Sequence, residues 1–550
     1  MRARAAAGGR VLRDLLPARS DLADMGRRPL RNLLSGVTVA VVALPLALGF
    51  GASSGLGPEA GLATAIVAGA LAALFGGSSV QVSGPTGAMT VVLVPIVARY
   101  GPGGVLMVGL MAGVLLVLLA LFRAGRYMRF VPTPVIEGFT VGIAAVIALQ
   151  QVPSALGVEA PEGENTLLVA AEAARGFAAE PDWQAPALAL GTAAVVLLGG
   201  RLLPRVPVSI LAVAGAGALV AFTPLTAAPV GDIPAGLPAP SLDFLDPAAV
   251  GPLLTSAVAV AALAALESLL SASVADGMTG GPRHHPDREL FGQGLANIVT
   301  PLFGGVPATA AIARTAVNVR SGASSRLAAL THALVLAAVV YAAAPLVGAI
   351  PMAALAGVLL ATAVRMVDAA AVRSIMRTTR GDAAVLVCTT LVTLAFDLVL
   401  AVLVGLVLSG ALALRAVAGN ARLDRLHVDG PEEGPAVRVV HPPGAAVFRL
   451  DGPLFFAGAH RLLVRLHEVR DVPSAVLDMS RVTAVDATGA LLLKEAVDEL
   501  ELRGVAVHLS GVRPGHHRPL RTVGLLDDTH AVAPSGEAFD ARLLAPSPPG

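Results

Sequence analysis

The sequence predicts an all-α polytopic membrane protein of fourteen transmembrane segments, built around an inverted repeat and followed by a small soluble α/β domain. Three observations carry that prediction. Of 550 residues, 55% are hydrophobic and only 14% are charged, whereas a soluble globular chain carries about 25% charged residues. Arginine clusters follow the even-numbered apolar segments. A Gly/Pro-interrupted pattern also occurs twice, at corresponding places in the two halves.

Residues 1–32 form a polar N-terminal segment containing Arg2, Arg4, Arg10, Arg13, Arg19, Arg27, Arg28 and Arg31. The apolar run from Leu33 resembles the core of a signal peptide. The basic stretch before it is too long for one, and more apolar segments follow, so it reads as a retained first span with its N-terminus inside. About 20 apolar residues cross the hydrocarbon, fewer where a helix breaks in mid-membrane. On that measure the transmembrane domain, residues 33–418, divides into spans near 33–51, 61–76, 84–99, 103–122, 132–152, 185–202, 206–223, 252–275, 290–304, 308–320, 326–344, 350–365, 382–398 and 399–417.

Charge tests the count independently, because cytoplasmic loops are the Arg-rich ones. Arg123, Arg126 and Arg129 follow span 4; Arg201 and Arg205 follow span 6; Arg283 and Arg288 follow span 8; Arg373, Arg377 and Arg380 follow span 12. The loop after span 5 instead holds Glu159, Glu162, Glu164, Glu172, Glu180 and Asp182, and the loop after span 7 holds Asp232, Asp243 and Asp246. An error of one span would scramble this alternation. Both termini are therefore expected on the cytoplasmic side, and the inner membrane of a bacterium is the expected location.

Spans 3, 9 and 10 are short and broken by Gly and Pro. Leu74-Phe75-Gly76-Gly77 leads to Gly84-Pro85-Thr86-Gly87-Ala88, and Leu302-Phe303-Gly304-Gly305 leads to Pro307-Ala308-Thr309-Ala310-Ala311. An odd number of spans separates the copies, so the second is inverted relative to the first. A helix that starts in mid-membrane aims free N–H groups and the positive end of its dipole at whatever lies ahead, which suits an anion. Starts at Thr86 and Thr309 facing one another would form one shared site. The other reading of these segments is Gly/Pro kinks that pack against neighbouring helices.

Two ionisable residues lie inside apolar spans. A charge at the bilayer centre costs about 2.5–3.5 kcal/mol on insertion scales, so a functional role is the default for Glu267 in span 8. It suits a proton that loads and unloads, or it is the fixed partner of a buried arginine. Arg314, in span 10, either adds to an anion-attracting field or pairs with Glu267.

The run Ser35 to Leu48 (SGVTVAVVALPLAL), then Gly84-Pro85-Thr86-Gly87-Ala88, then Ala265-Leu266-Glu267-Ser268-Leu269-Leu270, resembles the SulP anion permeases over nearly the whole chain. The resemblance implies two inverted repeats of seven spans, with a core domain (spans 1–4 and 8–11) moving as an elevator against a gate domain, commonly in a homodimer. It implies an anion site on Thr86, Gly87 and Ala88 of span 3 and on Ala310, Ala311 and Ile312 of span 10, with Glu267 as the acidic residue and Arg314 as the basic one. Sulfate, bicarbonate and dicarboxylates are among the substrates it implies. The chain departs from the pattern at Leu46, where many members carry Gln. Sodium-coupled relatives place Asp and Thr where this chain has Glu267 and Ile312. A hard cation needs oxygen ligands, so a proton is the expected coupling ion.

After a linker at 419–435, residues 436–543 alternate short apolar runs with helical patterns, as in a βαβ domain. A strand is expected at Ala475 to Asp478, a helix at Gly489 to Arg503 and a strand at Gly504 to Ser510. Leu477-Asp478-Met479-Ser480-Arg481-Val482-Thr483-Ala484-Val485-Asp486-Ala487-Thr488-Gly489 resembles the STAS domain. In regulatory members a phosphorylated Ser follows the motif Asp; here Ala487 stands there, and Thr488 reads as a helix N-cap.

Cys388 reads as core filler, and His284-His285 as solvated loop residues. The sequence shows no His/Cys cluster with metal spacing, phosphate loop or nucleophile elbow, so no catalytic residue, metal or cofactor is expected, and an enzyme is the weakest reading. A net charge of +1 does not suggest nucleic acid. The expected partners are a small anion, a proton, the lipid bilayer and a second copy of the chain. Coupled symport is the leading reading, with an anion exchanger or passive channel as the alternative.

Overall fold

The computed structural model describes residues 15–161, 165–203, 206–280, 283–396, 398–419, 422–426, 445–456 and 472–526. Arg2, Arg4, Arg10, Arg13, Glu162, Glu164, Arg205 and linker residues 427–435 lie outside the described residues. The chain forms two compact units, Met1–Leu406 and Val407–Gly550.

The first unit is helical. A short helix α1 (Arg19–Met25) precedes α2 (Pro29–Ser53) and α3 (Pro58–Phe75). A two-residue strand β1 (Ser83–Gly84) then leads into α4 (Gly87–Leu121), which carries spans 3 and 4 as two arms. The bend between the arms is at Gly101, whose φ of 67° lies in the left-handed region that glycine tolerates, and Pro102 follows it. Span 5 is α5 (Thr133–Gln150), followed by α6 (Val152–Leu156). The acidic loop then holds a helix the sequence reading does not contain, α7 (Thr166–Ala179), capped by the Asn165 side chain accepting from the Leu167 and Leu168 amides.

Spans 6 to 8 are α8 (Gln184–Leu202), α9 (Val208–Phe222) and α10 (Val250–Thr279). Span 9 is α11 (Pro286–Val299), from which a 3-10 turn and the strand β2 (Thr309–Ala310) lead to span 10, α12 (Ile312–Arg320). These two helices have 14 and 9 residues, too few to cross a bilayer alone. Then come α13 (Leu327–Gly348), α14 (Met352–Met366), the short α15 (Ala369–Thr378), α16 (Arg380–Ala395) and α17 (Leu398–Gly419). Each of the fourteen expected spans is therefore helical. Nine helices among the described residues are long and apolar enough to cross a membrane.

Packing divides the spans into two groups. Helices α2, α3 and α4 pack with α10, α11, α12 and α13, while α5, α8 and α9 pack with α14 and α16. These are the core and gate sets of the seven-plus-seven arrangement. The core approach is close: a Cβ on Gly113 of α4 would sit 2.8 Å from the Gly294 carbonyl of α11, a separation only glycine permits.

Beyond the end of α17, the described residues of the second unit form a four-stranded sheet with one long helix. The linker expected over 419–435 contains its edge strand, β3 (Arg422–Leu426), antiparallel to β4 (Ala445–Leu454). Two parallel neighbours follow, β5 (Ser474–Val485) and, after α18 (Ala487–Leu502), β6 (Ala506–Ser510). A last short helix is α19 (His517–Thr522). Leu493, Ala496, Val497 and Leu500 of α18 share one buried face with Phe448, Leu477 and Leu509 of the sheet. The cap of α18 is Asp486, not Thr488: its Oδ1 accepts the Gly489 amide, and its Oδ2 accepts that of Phe456 at 3.2 Å. Its carboxylate oxygens meet these amides from a position two residues closer to the strand end, which leaves Thr488 exposed.

Candidate functional site

Two strands of two residues each organise the centre of the first unit. β1 pairs antiparallel with β2, Ser83 opposite Ala310 and Gly84 opposite Thr309. The Ala311 amide extends the ladder to the Val82 carbonyl at 3.0 Å. Because the strands are antiparallel, α4 and α12 leave the ladder in opposite directions with their N-termini side by side.

The helix start expected at Thr309 lies three residues later. Ala311 is the N-cap and Ile312 the first helical residue. Thr309 is held in the strand by the ladder and by its hydroxyl, 2.9 Å from Ser268 Oγ and 3.3 Å from the Ala264 carbonyl.

A buried polar frame holds this arrangement, built from residues that no sequence motif singles out. Asn297 clamps both backbone groups of Ala308, donating to its carbonyl at 2.9 Å and accepting its amide at 2.7 Å. Gln293 donates to Ser83 Oγ at 2.6 Å and to Glu289 Oε1 at 2.9 Å. Glu289 Oε2 accepts the Gly77 and Ser78 amides at 2.8 and 3.2 Å. From α12, in the same repeat, Asn318 donates to the Val80 carbonyl and Thr315 Oγ1 accepts the Val82 amide. The available signal was a polar residue at every fourth position, 289, 293 and 297, along one face of an apolar helix. Buried polar groups on that scale are retained only when hydrogen-bonded.

At the start of α4, Thr86 Oγ1 accepts the Met89 amide at 3.4 Å and donates to Glu267 Oε2 at 3.0 Å. The Gly87 and Ala88 N–H groups open the helix and have no intrahelical acceptor. At the start of α12 no side chain caps the helix, and the Ile312, Ala313 and Arg314 N–H groups are likewise free of intrahelical acceptors. Arg314, 1% exposed, donates from Nη2 to the Pro85 carbonyl at 2.7 Å. Its Nη1 has no acceptor among the described residues. Arg314 and Glu267 thus flank the Pro85-Thr86 segment, each bonded to one of its residues, and make no direct ion pair with each other.

The structure brings Thr86, Glu267 and Arg314 together around two helix starts. Ile312 is 40% exposed and Glu267 partly exposed, so the site is open on that side. Ala310 is fully buried within the ladder. The space beside Gly87 is filled by protein: a Cβ there would lie 2.2 Å from Ile147 Cδ1 of α5 and 3.1 Å from the Phe50 ring. The glycine admits a gate side chain, a role its sequence context did not show. Leu46 is buried in the core. His284 is not a solvated loop residue: its Nδ1 is 2.7 Å from Asp276 Oδ2 and its side chain is largely buried.

Residues 30–389 match the sulfate permease family. The chain belongs to that family. Residues 436–538 match the STAS domain. Among relatives, a Bacillus subtilis (strain 168) protein, YvdB, named as a sulfate transporter by inference only, is 34% identical over 90% of this chain and 94% of its own. The bicarbonate transporter BicA of Synechocystis is 30% identical over 94% of this chain and 93% of its own. The solved transmembrane domain of a cyanobacterial BicA superposes with a TM-score of 0.62 at 32% identity, covering 70% of this chain and 98% of that one. The murine anion transporter Slc26a9 in its inward-facing state gives 0.82 at 17% identity, covering 95% and 93%, a likeness of fold. The protein is therefore a multi-pass membrane transporter of a family of sulfate and bicarbonate carriers, not an enzyme.

Proposed function

We propose that this family member is a proton-coupled symporter of a small anion of the sulfate, bicarbonate or dicarboxylate class. The anion binds between the starts of α4 and α12, held by the free first-turn N–H groups of Gly87, Ala88 and Ile312 and by Arg314, with Thr86, Ala310 and Ala311 shaping the backbone around it. The carrying observation is the 3.0 Å bond between Thr86 and Glu267. It puts an ionisable carboxyl on the residue that caps one half of the site.

An ionised Glu267 repels an arriving anion, and a protonated one does not, so anion and proton load together and leave together. On the same reading the core helices move as an elevator against the gate helices, with Ile147 as a gate side chain that closes over Gly87. The chain works in the plasma membrane as a homodimer, both termini cytoplasmic, and the STAS domain serves assembly or regulation.

The test is uptake of labelled sulfate, bicarbonate and fumarate into liposomes with and without an inward proton gradient. One anion is expected to accumulate only with the gradient, and faster as the outside pH falls. Glu267→Gln is expected to lose that dependence. Gradient-independent flux in both proteins would make Glu267 structural and the chain an exchanger or channel.

A further inference from the structure

The N-terminal segment is held to the bundle at two points far from Thr86 in sequence. Leu15 is buried in the first unit's core at 2% exposure. Asp21, in α1, places Oδ2 2.6 Å from Arg288 Nη1, while the same oxygen accepts the Ala18 amide at 2.8 Å. Burial works to raise the Asp21 carboxyl, but the Arg288 hydrogen bond, the Ala18 amide and the Arg288 charge outweigh it and hold the group below the usual carboxylate range. The carboxylate is therefore a charged ligand of Arg288.

That one carboxylate leaves much of the local chemistry unused. Arg288, at the start of α11, and Arg326, just ahead of α13, are 7% and 3% exposed. Arg326 Nη1 donates to the Ala73 carbonyl at 2.9 Å. Arg288 Nε and Nη2 and Arg326 Nε have no acceptor among the described residues. Glu289, the other carboxylate acting on Arg326, already accepts from Gly77, Ser78 and Gln293. Buried charged donors without acceptors are costly, so three of them on two adjacent guanidiniums exceed what a single ion pair explains. A tetrahedral oxyanion has the oxygens and the charge to engage both forks at once.

We propose that Arg288 and Arg326 form a second oxyanion site, for a phosphate group, which the Asp21 carboxylate closes as an internal ligand. Phosphate displaces Asp21 and releases α1 from the bundle. The group arrives either as the free ion or as the headgroup of an anionic phospholipid. The site shares no residue with the one around Thr86 and Arg314, so it stands or falls independently of the transport mechanism.

The full-length protein in phosphatidylcholine nanodiscs tests this through tryptic cleavage of the Arg27–Arg28 bond, which follows α1. Inorganic phosphate is expected to speed cleavage of the parent several-fold. Asp21→Asn is expected to cleave at the fast rate without phosphate. It should also bind inorganic phosphate about tenfold tighter by calorimetry, the scale of removing one charged competitor. In Arg288→Gln the phosphate dependence should vanish; a response that persists there belongs to the transport site and overturns the proposal. Phosphatidylglycerol discs without added phosphate separate the sources: fast cleavage assigns the lipid headgroup, and fast cleavage only on adding phosphate assigns the free ion. Cleavage insensitive to both, with unchanged phosphate affinity in Asp21→Asn, overturns the proposal even if Arg288→Gln fails to fold.

Discussion

The two helix starts that meet at the β1–β2 ladder occupy corresponding places in the two repeats, yet they are built differently. α4 opens on Thr86, whose hydroxyl both caps the helix and binds Glu267. α12 opens on Ala311, which offers no cap, and carries Arg314 in its first turn. One start is closed by its own side chain and tied to a carboxyl; the other keeps its N–H groups free and adds a full positive charge. The two starts share a backbone frame, and on the proposed reading they divide the chemistry: α12 attracts the anion, and α4 is tied to the coupling carboxyl of Glu267.

Arg314→Gln should break this division most severely. It removes a buried charge-assisted bond and the charge itself, about 2–3 kcal/mol or roughly a hundredfold in anion affinity, read by equilibrium binding of the transported anion. Arg314→Lys keeps the charge without the planar fork and should recover only part. Affinity unchanged in Arg314→Gln would remove the attracting role from α12.

An intermediate effect is expected from Thr86→Val, which deletes the cap and the Glu267 bond together. Loss of the cap alone costs about 1 kcal/mol, seen as a lower thermal midpoint in detergent. Gradient-driven uptake should fall about tenfold, as for one lost hydrogen bond to a charged group. Thr86→Ser retains both bonds and should match the parent. A valine variant that keeps proton-dependent uptake would dissociate Thr86 from coupling.

The smallest and most discriminating change is Ala311→Ser, which gives α12 the cap it lacks. The new hydroxyl should stabilise the fold by about 0.5–1 kcal/mol and weaken anion affinity a few-fold, because it competes for the same N–H groups. Tighter binding with higher stability would show that those groups are not the anion's ligands.

Much of this architecture is legible in the chain because its signals are local. Apolar length finds the spans, arginine clusters give their parity, and the Gly84-Pro85-Thr86 stop marks the α4 start to within a residue. The α12 start is misplaced for an instructive reason. Thr309 has the residue type of a cap, but its backbone is claimed by Ser83–Gly84, more than two hundred positions away, and no local pattern announces that pairing. The same holds for Gly87, whose close packing against Ile147 of a distant span no local pattern announces. Glu289, Gln293 and Asn297 lie between these cases: their spacing is visible, but what they clamp is not. The β3 strand within the expected linker was hidden because its five residues, Arg422–Leu426, carry three charges and only two leucines.

The ladder between Ser83–Gly84 and Thr309–Ala310 has one more implication, for how such a protein changes over generations. Its bonds join main chain to main chain, so replacing one side chain by another does not delete them, proline apart. Side chains around the two helix starts are then free to drift, and with them the preference for one anion over another, while the frame that presents the first-turn N–H groups stays put. A carrier built this way acquires a new cargo by changing the lining and not the scaffold, and the divergence between its own two halves is a record of that freedom.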